Sequence, residues 1–238
     1  MDSMIQRRIA EVEENIQQAA EGSGRNAAGI RLMAVTKTVD DSLIREAIIA
    51  GINIIGENYV QEAKRKIEKM GRDCEWHMIG RLQTNKAKYA VNLFDMIHSV
   101  DRMEIALELD RRSRLAGGVS KILVEVNVGG EASKSGVTPG EAVNLVRRIA
   151  LLEGLSIRGL MTMPPWFDDP MKTRPYFAAL RQLSENIAAE GIERVQMAEL
   201  SMGTSDDYPV AVEEGATIVR IGRAIFGERP PKRTGNGG

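Results

Sequence analysis

The chain has 238 residues, of which 43% are apolar and 27% charged. That is a globular composition, and it argues against disordered, collagen-like and membrane-spanning classes. The 32 basic and 33 acidic residues leave a formal net charge of −1, so no overall field draws the chain to nucleic acid or to an acidic membrane. Cys74, the single cysteine, cannot close an intrachain disulfide, residues 1–20 lack the apolar run of a signal peptide, and no run reaches the ~18 residues that span a bilayer. Together these features predict a cytoplasmic protein.

Taken in chain order, residues 3–20 are predicted to form an amphipathic helix, because Ile5, Ile9, Val12 and Ile16 recur on one face. Residues 22–29 are turn-rich. From there, β-branched or Met-rich runs alternate with longer charged runs. Strands are predicted over 31–36, 52–56, 75–79, 95–100, 121–128, 156–163, 194–200 and 217–221. Helices between them begin near Ser42, Val60, Thr84, Arg102, Thr138, Thr173 and Tyr208. Asp41-Ser42, Thr138-Pro139 and Asp206-Asp207 supply start signals. Gly51, Gly154, Gly191 and Gly215 stand where a C′ glycine closes a helix. A shorter helix from Ile225 leads into a frayed tail over 228–238.

Eight strands alternating with helices fit an α/β fold of the (β/α)8 TIM-barrel type, with an extra N-terminal helix outside the repeat. Parallel neighbours need a crossover helix each, which this rhythm provides. An open doubly wound sheet shares the alternation. The count of eight and the lack of a Gly-rich dinucleotide fingerprint after the first strand favour the barrel. No Pro-, Ser- or Gly-rich linker divides the chain, so 1–238 reads as one domain.

A parallel barrel gathers its functional groups at the C-terminal ends of its strands. Lys37 ends the first predicted strand after five mostly apolar residues. Desolvation would favour its neutral amine, the form that attacks an aldehyde, whereas snorkelling to water is the plainer alternative. Ser201-Met-Gly-Thr-Ser205, ahead of a helix, offers hydroxyls, a close-approach glycine and free N–H groups suited to a phosphate. Gly222-Arg223 offers a second set after the eighth strand. Arg220 lies inside an apolar strand, so it needs a partner such as Glu57 or Glu199, or else a ligand such as a pyridine nitrogen. Asn58 can bond a ring hydroxyl or cap the following helix. His77 and His98, 21 residues apart with no further ligand at suitable spacing, argue against a zinc site. Glu57 and Glu62 read as helix-surface charges, and Met33, Met78, Met161 and Met163 as core filling.

Several long stretches, in order along nearly the whole chain, resemble the YggS/PROSC family of pyridoxal 5′-phosphate (PLP) homeostasis proteins. They are Ala34-Val-Thr-Lys-Thr38, Gly56-Glu-Asn-Tyr-Val-Gln-Glu62, Trp76-His-Met-Ile-Gly-Arg-Leu-Gln-Thr-Asn-Lys86, His98-Ser-Val-Asp101, Ser133-Lys-Ser-Gly136, Gly159-Leu-Met161, Leu200-Ser-Met-Gly-Thr-Ser-Asp-Asp207 and Val219-Arg-Ile-Gly-Arg-Ala-Ile-Phe-Gly227. The resemblance implies a fold-type III barrel like the N-terminal domain of alanine racemase. It implies that Lys37 carries the cofactor as an aldimine. It also implies that Ser201, Gly222 and the Arg223 amide hold the phosphate, that Arg220 meets the pyridine nitrogen, that Asn58 lies by the ring hydroxyl, and that His77 and Met202 line the cup. Thr36 departs from the family's common serine and Arg223 from a common threonine.

Three functions follow for comparison. The first, which the family likeness implies, is a PLP carrier for vitamin B6 homeostasis with little or no turnover; PLP-dependent apoenzymes are its expected recipients, and the lack of a second racemase-type domain points to a monomer. The second is a PLP enzyme such as an amino-acid racemase or decarboxylase; a racemase needs two bases on opposite faces of the substrate carbon, and only Lys37 is evident. The third is a Schiff-base aldolase acting on a phosphosugar. Lys86 and Lys134 are candidates for cofactor transfer. Nothing past Gly227 matches the second domain of alanine racemase.

Overall fold

The structure, a computed structural model, describes residues 3–228. The chain opens with helix α1 (Met4–Gly22), started by a reciprocal capping box between Ser3 and Gln6. Its buried face carries Ile5, Ile9, Val12 and Ile16, the stripe that the periodicity predicts. Eight strands and their helices follow: β1 (Arg31–Val35), α2 (Asp41–Ile49), β2 (Ile54–Glu57), α3 (Val60–Met70), β3 (Glu75–Met78), α4 (Ala87–Leu93), β4 (Met96–Val100), α5 (Met103–Leu115), β5 (Ser120–Glu125), α6 (Pro139–Ile149), β6 (Leu155–Met161), α7 (Arg174–Ala189), β7 (Val195–Ser201), α8 (Tyr208–Glu213), β8 (Ile218–Ile221) and α9 (Arg223–Phe226).

The strands pair in parallel in sequence order, and β8 returns to β1, so the sheet closes. Closure leaves no edge and rules out the open-sheet alternative. The larger core lies between barrel and helices, where outward residues such as Ile55, Trp76, Ile97, Val124 and Ile221 meet the helix faces. Inside the barrel the apolar filling is thin: Met33, Ile54 and Ile218 form one cluster, and Met96, Leu123 and Met161 another. A parallel barrel is usually filled by layers of branched apolar side chains. Here part of that space is polar. No helix among the described residues is long and apolar enough to cross a membrane.

Several expectations shift. β5 ends at Glu125, because Val126 bridges to Val137 outside the named strands. The last helix runs over Arg223–Phe226 and stops at Gly227, whose φ of 84° few other residues adopt. The frayed-tail expectation falls mostly on 229–238, outside the described residues. Gly51, Gly191 and Gly215 take the positive φ of helix-closing glycines, but Gly154 does not. It is glycine for space: a Cβ there would lie 2.6 Å from the Asp110 carbonyl oxygen, and its N–H donates to Asp110 Oδ1 at 2.7 Å.

Candidate functional site

Lys37 sits just past β1 in a turn whose neighbour, Thr38, has φ of 60°, a left-handed conformation that is uncommon for threonine. The turn persists because a buried ionic cluster fixes it. Lys66 of α3, with no exposed side-chain surface, donates to the Thr36 carbonyl at 2.6 Å, to Glu57 at 2.6 Å and to Glu62 at 2.7 Å. Thr36 Oγ1 donates to Glu57 at 2.5 Å, and the Thr38 N–H donates to Glu62 at 2.7 Å. Glu57 therefore belongs to a strand buried beneath α3, which corrects its reading as a helix-surface charge. Glu62 is partly buried in the same cluster.

Beside this turn, at the C-terminal mouth of the barrel, is a cavity of about 390 Å³. Its walls include Lys37, Asn58, Met163, Arg220, Gly222 and Arg223, with Thr204, Ser205 and Asp206 on the side of the turn after β7. Five of the sequence-predicted residues thus meet on one cavity. Asn58 does not cap α3, and its Oδ1 is buried with no hydrogen-bond partner. A buried acceptor left unpaired at a cavity wall is costly without a ligand donor.

Arg220 is buried in β8. Nη1 donates to Ser201 Oγ at 2.8 Å, and Nη2 donates to the Thr162 carbonyl at 2.8 Å and approaches Met163 Sδ at 2.8 Å. Neither expected carboxylate reaches it: Glu57 is taken by Lys66 and Thr36, while Glu199 pairs with Arg31 at 2.7 Å and accepts from Thr217 at 2.6 Å. Burial pulls the Arg220 guanidinium down to about 10, against the fields of Asp207 and Glu125, so it stays cationic at neutral pH. Glu125 responds oppositely: burial, and then the charge of Asp101, push its carboxyl up to about 7 despite Arg220 and Arg81.

Ser205 Oγ accepts from the Gly222 N–H at 3.3 Å and the Ala224 N–H at 3.2 Å. Two backbone donors thus converge on one oxygen where the chain enters α9, which is the arrangement that holds an anion's oxygen. The Arg223 side chain leans outward to Asp206 and, at 3.3 Å, to Glu228. Ser201, His77 and Met202 lie elsewhere than expected. Ser201 is buried beneath the cavity, between Arg220 and His98. His77 is buried inside the barrel, bonded to His98 and Glu75 rather than lining the cup. Met202 packs in the outer core. Conversely, Met163 is 44% exposed and borders the cavity, which corrects its reading as core.

Sequence reasoning missed Lys66 and the role of His98. The (i, i+4) spacing of Glu62 and Lys66 was a visible signal for the first. Lys134 donates to the Pro164 carbonyl at 2.6 Å, and Lys86 lies on a neighbouring groove with Arg81 and Arg102 that shares Asn58 with the cavity.

Fold and site define a class: parallel eight-stranded barrels with a lysine and an arginine on the C-terminal mouth. The family described as "Alanine racemase, N-terminal domain" matches residues 8–230. Alanine racemase of Clostridium difficile 630 superposes with a TM-score of 0.72 at 16% identity, over 92% of this chain and 56% of that one; this likeness is one of fold. The chain belongs to the pyridoxal phosphate homeostasis protein family. It is 45% identical to the protein of that name from Aquifex aeolicus over 93% of this chain and 97% of the relative, and 38% identical to that of Escherichia coli K12 over 94% and 97%. PipY of Synechococcus elongatus PCC7942, solved with PLP bound, is similar at 34% identity and a TM-score of 0.81, covering 94% of this chain and all of PipY.

Proposed function

We infer that this chain binds pyridoxal 5′-phosphate in the mouth cavity and serves intracellular vitamin B6 homeostasis as a carrier with little or no turnover. One observation carries this: Lys37, the Arg220 cation bonded only to neutral groups, and Asn58, whose buried Oδ1 has no hydrogen-bond partner, all line one cavity. The residues fit the cofactor. Asn58 Oδ1 supplies the acceptor a ring hydroxyl needs, and Arg220 supplies a permanent cation for a ring nitrogen, which keeps that nitrogen unprotonated. Gly222 and Arg223 amides, with the Ser205 hydroxyl, suit the phosphate. Ser201 acts one step back by holding Arg220. Bound there, PLP supplies an aldehyde that condenses with an amine and releases water. Lys37 provides that amine, and the Glu57–Lys66–Glu62 cluster fixes the turn that presents it.

Among the described lining residues, the acids Asp206 and Glu228 are paired to Arg223, and racemisation would need a second base facing Lys37 across the substrate carbon. The relatives carry the name of homeostasis proteins. Cys74 is buried, and burial pushes its thiol up to about 11, in keeping with an inert cysteine in the cytoplasm. A monomer that hands PLP to apoenzymes completes this assignment. The test is a PLP titration followed by absorbance, joined to a turnover assay over a panel of amino acids. A yellow protein with turnover far below roughly 1 per second is expected. Turnover at or above that rate, lost in Lys37→Ala, would establish an enzyme instead. A colourless protein whose lysine is trapped by borohydride only with a phosphosugar would establish the aldolase.

A further inference from the structure

Glu75 opens β3 at the N-terminal mouth of the barrel and is half-exposed there, at 51% of its side chain. Its Oε2 lies 2.9 Å from His77 Nε2. His77 Nδ1 lies 3.0 Å from His98 Nε2, and His98 Nδ1 lies 3.0 Å from Ser201 Oγ. Ser201 Oγ accepts from Arg220 at 2.8 Å. All three intermediate residues are buried. The contacts run unbroken from one end of the barrel to the cavity at the other.

Both ends force the same direction. Arginine only donates, so Ser201 Oγ accepts there and its own proton needs an acceptor. His98 Nδ1 is the buried partner in reach, so that nitrogen carries no proton and Nε2 does. His98 Nε2–H then donates to His77 Nδ1, and His77 Nε2–H donates to the Glu75 carboxylate. A carboxylate at the far end can only accept, which closes the assignment. The surrounding charges agree. His98 is held well below the usual histidine range by burial first, with the Arg220 and Arg31 cations adding to it. Glu75 is lowered by its bond from His77, with Arg31 and Lys121 adding to it. Glu199 is engaged by Arg31 and Thr217 and stays off the line, while Asp207, which accepts from Thr204, and Glu125 both place their field on Arg220.

We propose that Glu75, His77, His98 and Ser201 form one oriented hydrogen-bond line through the barrel, with both imidazoles neutral and protonated at Nε2, and that these four are positioning residues for the Arg220 guanidinium at the cavity. Its consequence for the ligand rests on the PLP assignment; the orientation of the line does not. Hydrogen bonds in series polarise one another, so an anion at the lower mouth steadies a cation at the upper one.

The sequence has only two histidines, so [15N]histidine labelling of the full chain reports this line alone. Long-range proton–nitrogen correlation is expected to show both rings in the Nε2–H form at about pH 7. A ring protonated at Nδ1, or doubly protonated at pH 7, overturns the proposal. In the second arm, His98→Leu is expected to weaken PLP binding about tenfold, the scale of a buried polar partner left unmet, with His98→Gln recovering most of it. Unchanged binding in His98→Leu overturns the positioning role. Should that variant not fold, Glu75→Gln alters the open end, where Arg31 also approaches Glu75 at 3.5 Å: a changed His77 nitrogen shift with PLP binding a few-fold weaker supports the line, and the absence of either change overturns it. Wild-type protein that shows the Nε2–H pattern yet takes up no PLP sinks the PLP assignment and the ligand role together, while upholding the line's orientation.

Discussion

Two cations are buried in this barrel, and they are satisfied in different ways. Lys66 has two carboxylates and a carbonyl around its ammonium. Arg220 has a hydroxyl, a carbonyl and a thioether. The first set neutralises its charge within the protein, and the result is a scaffold that fixes the Lys37 turn. The second set fills hydrogen-bonding positions but leaves the positive charge without a carboxylate in contact, in a wall of the cavity. The difference teaches how to tell a charge neutralised inside the scaffold from one that faces a cavity: both side chains are buried, and the identity of the acceptors separates them.

The sharpest way to break this comparison is to remove the scaffold cation. Lys66→Met keeps the volume and strands Glu57 in the interior, so it is expected to cost about 3–5 kcal/mol, read as a lower denaturant midpoint at unchanged slope. Lys66→Met with Glu57→Gln should recover part of that loss. If the single variant is as stable as wild type, Lys66 is not the anchor described here.

Arg220→Gln tests the other cation. It keeps polar contact with Ser201 and deletes the charge. PLP affinity is expected to fall by about 10- to 100-fold, the scale of a hydrogen bond to a charged group, with stability little changed. A stability loss matching that of Lys66→Met, with affinity retained, would reverse the two roles.

Glu125 sharpens the contrast through pH. Its folded carboxyl lies at about 7 against an ordinary value of 4.5, so between these values the native state holds a proton that the unfolded state has released. Its contribution to stability is fully present below about 4.5 and is lost as pH rises through about 7. The change is of order 1–3 kcal/mol. Melting temperature measured from pH 5 to 8.5 should therefore decline more in wild type than in Glu125→Gln, and parallel curves would contradict the assignment. The smallest effect belongs to Arg223→Thr. Its side chain is half-exposed and engages Asp206 and Glu228 at the rim, so stability should move by less than about 1 kcal/mol and PLP affinity by about twofold or less. A larger loss of affinity would mean that the guanidinium, and not the backbone amide, serves the ligand.

Much of the fold was legible because each strand is a short β-branched or Met-rich run between charged, glycine-closed helices, and a count of eight such units favours the closed sheet that the β8–β1 pairing shows. Lys37, Asn58, Arg220, Gly222 and Arg223 were findable because a parallel barrel places strand ends at one mouth. Other features depend on three-dimensional closure. His77, His98 and Ser201 lie on three strands and meet only across the barrel interior, where no local periodicity reports on them. Glu57 looked like a surface acid because Gly56 hides the inward–outward alternation of β2; only the packing of α3 shows that it faces Lys66. Met163 has the composition of a core residue, but it follows the end of β6 and so borders the cavity.

The central claim is that the Lys37 amine, presented by the Lys66 cluster, takes up PLP in a cavity whose far wall carries Arg220. Borohydride reduction of the PLP-treated protein, followed by peptide mapping with mass spectrometry, tests it most directly. The expected result is one pyridoxyl-phosphate adduct, on Lys37. No adduct, or one that maps to Lys86, Lys134 or another lysine while Lys37 stays unmodified, would contradict it.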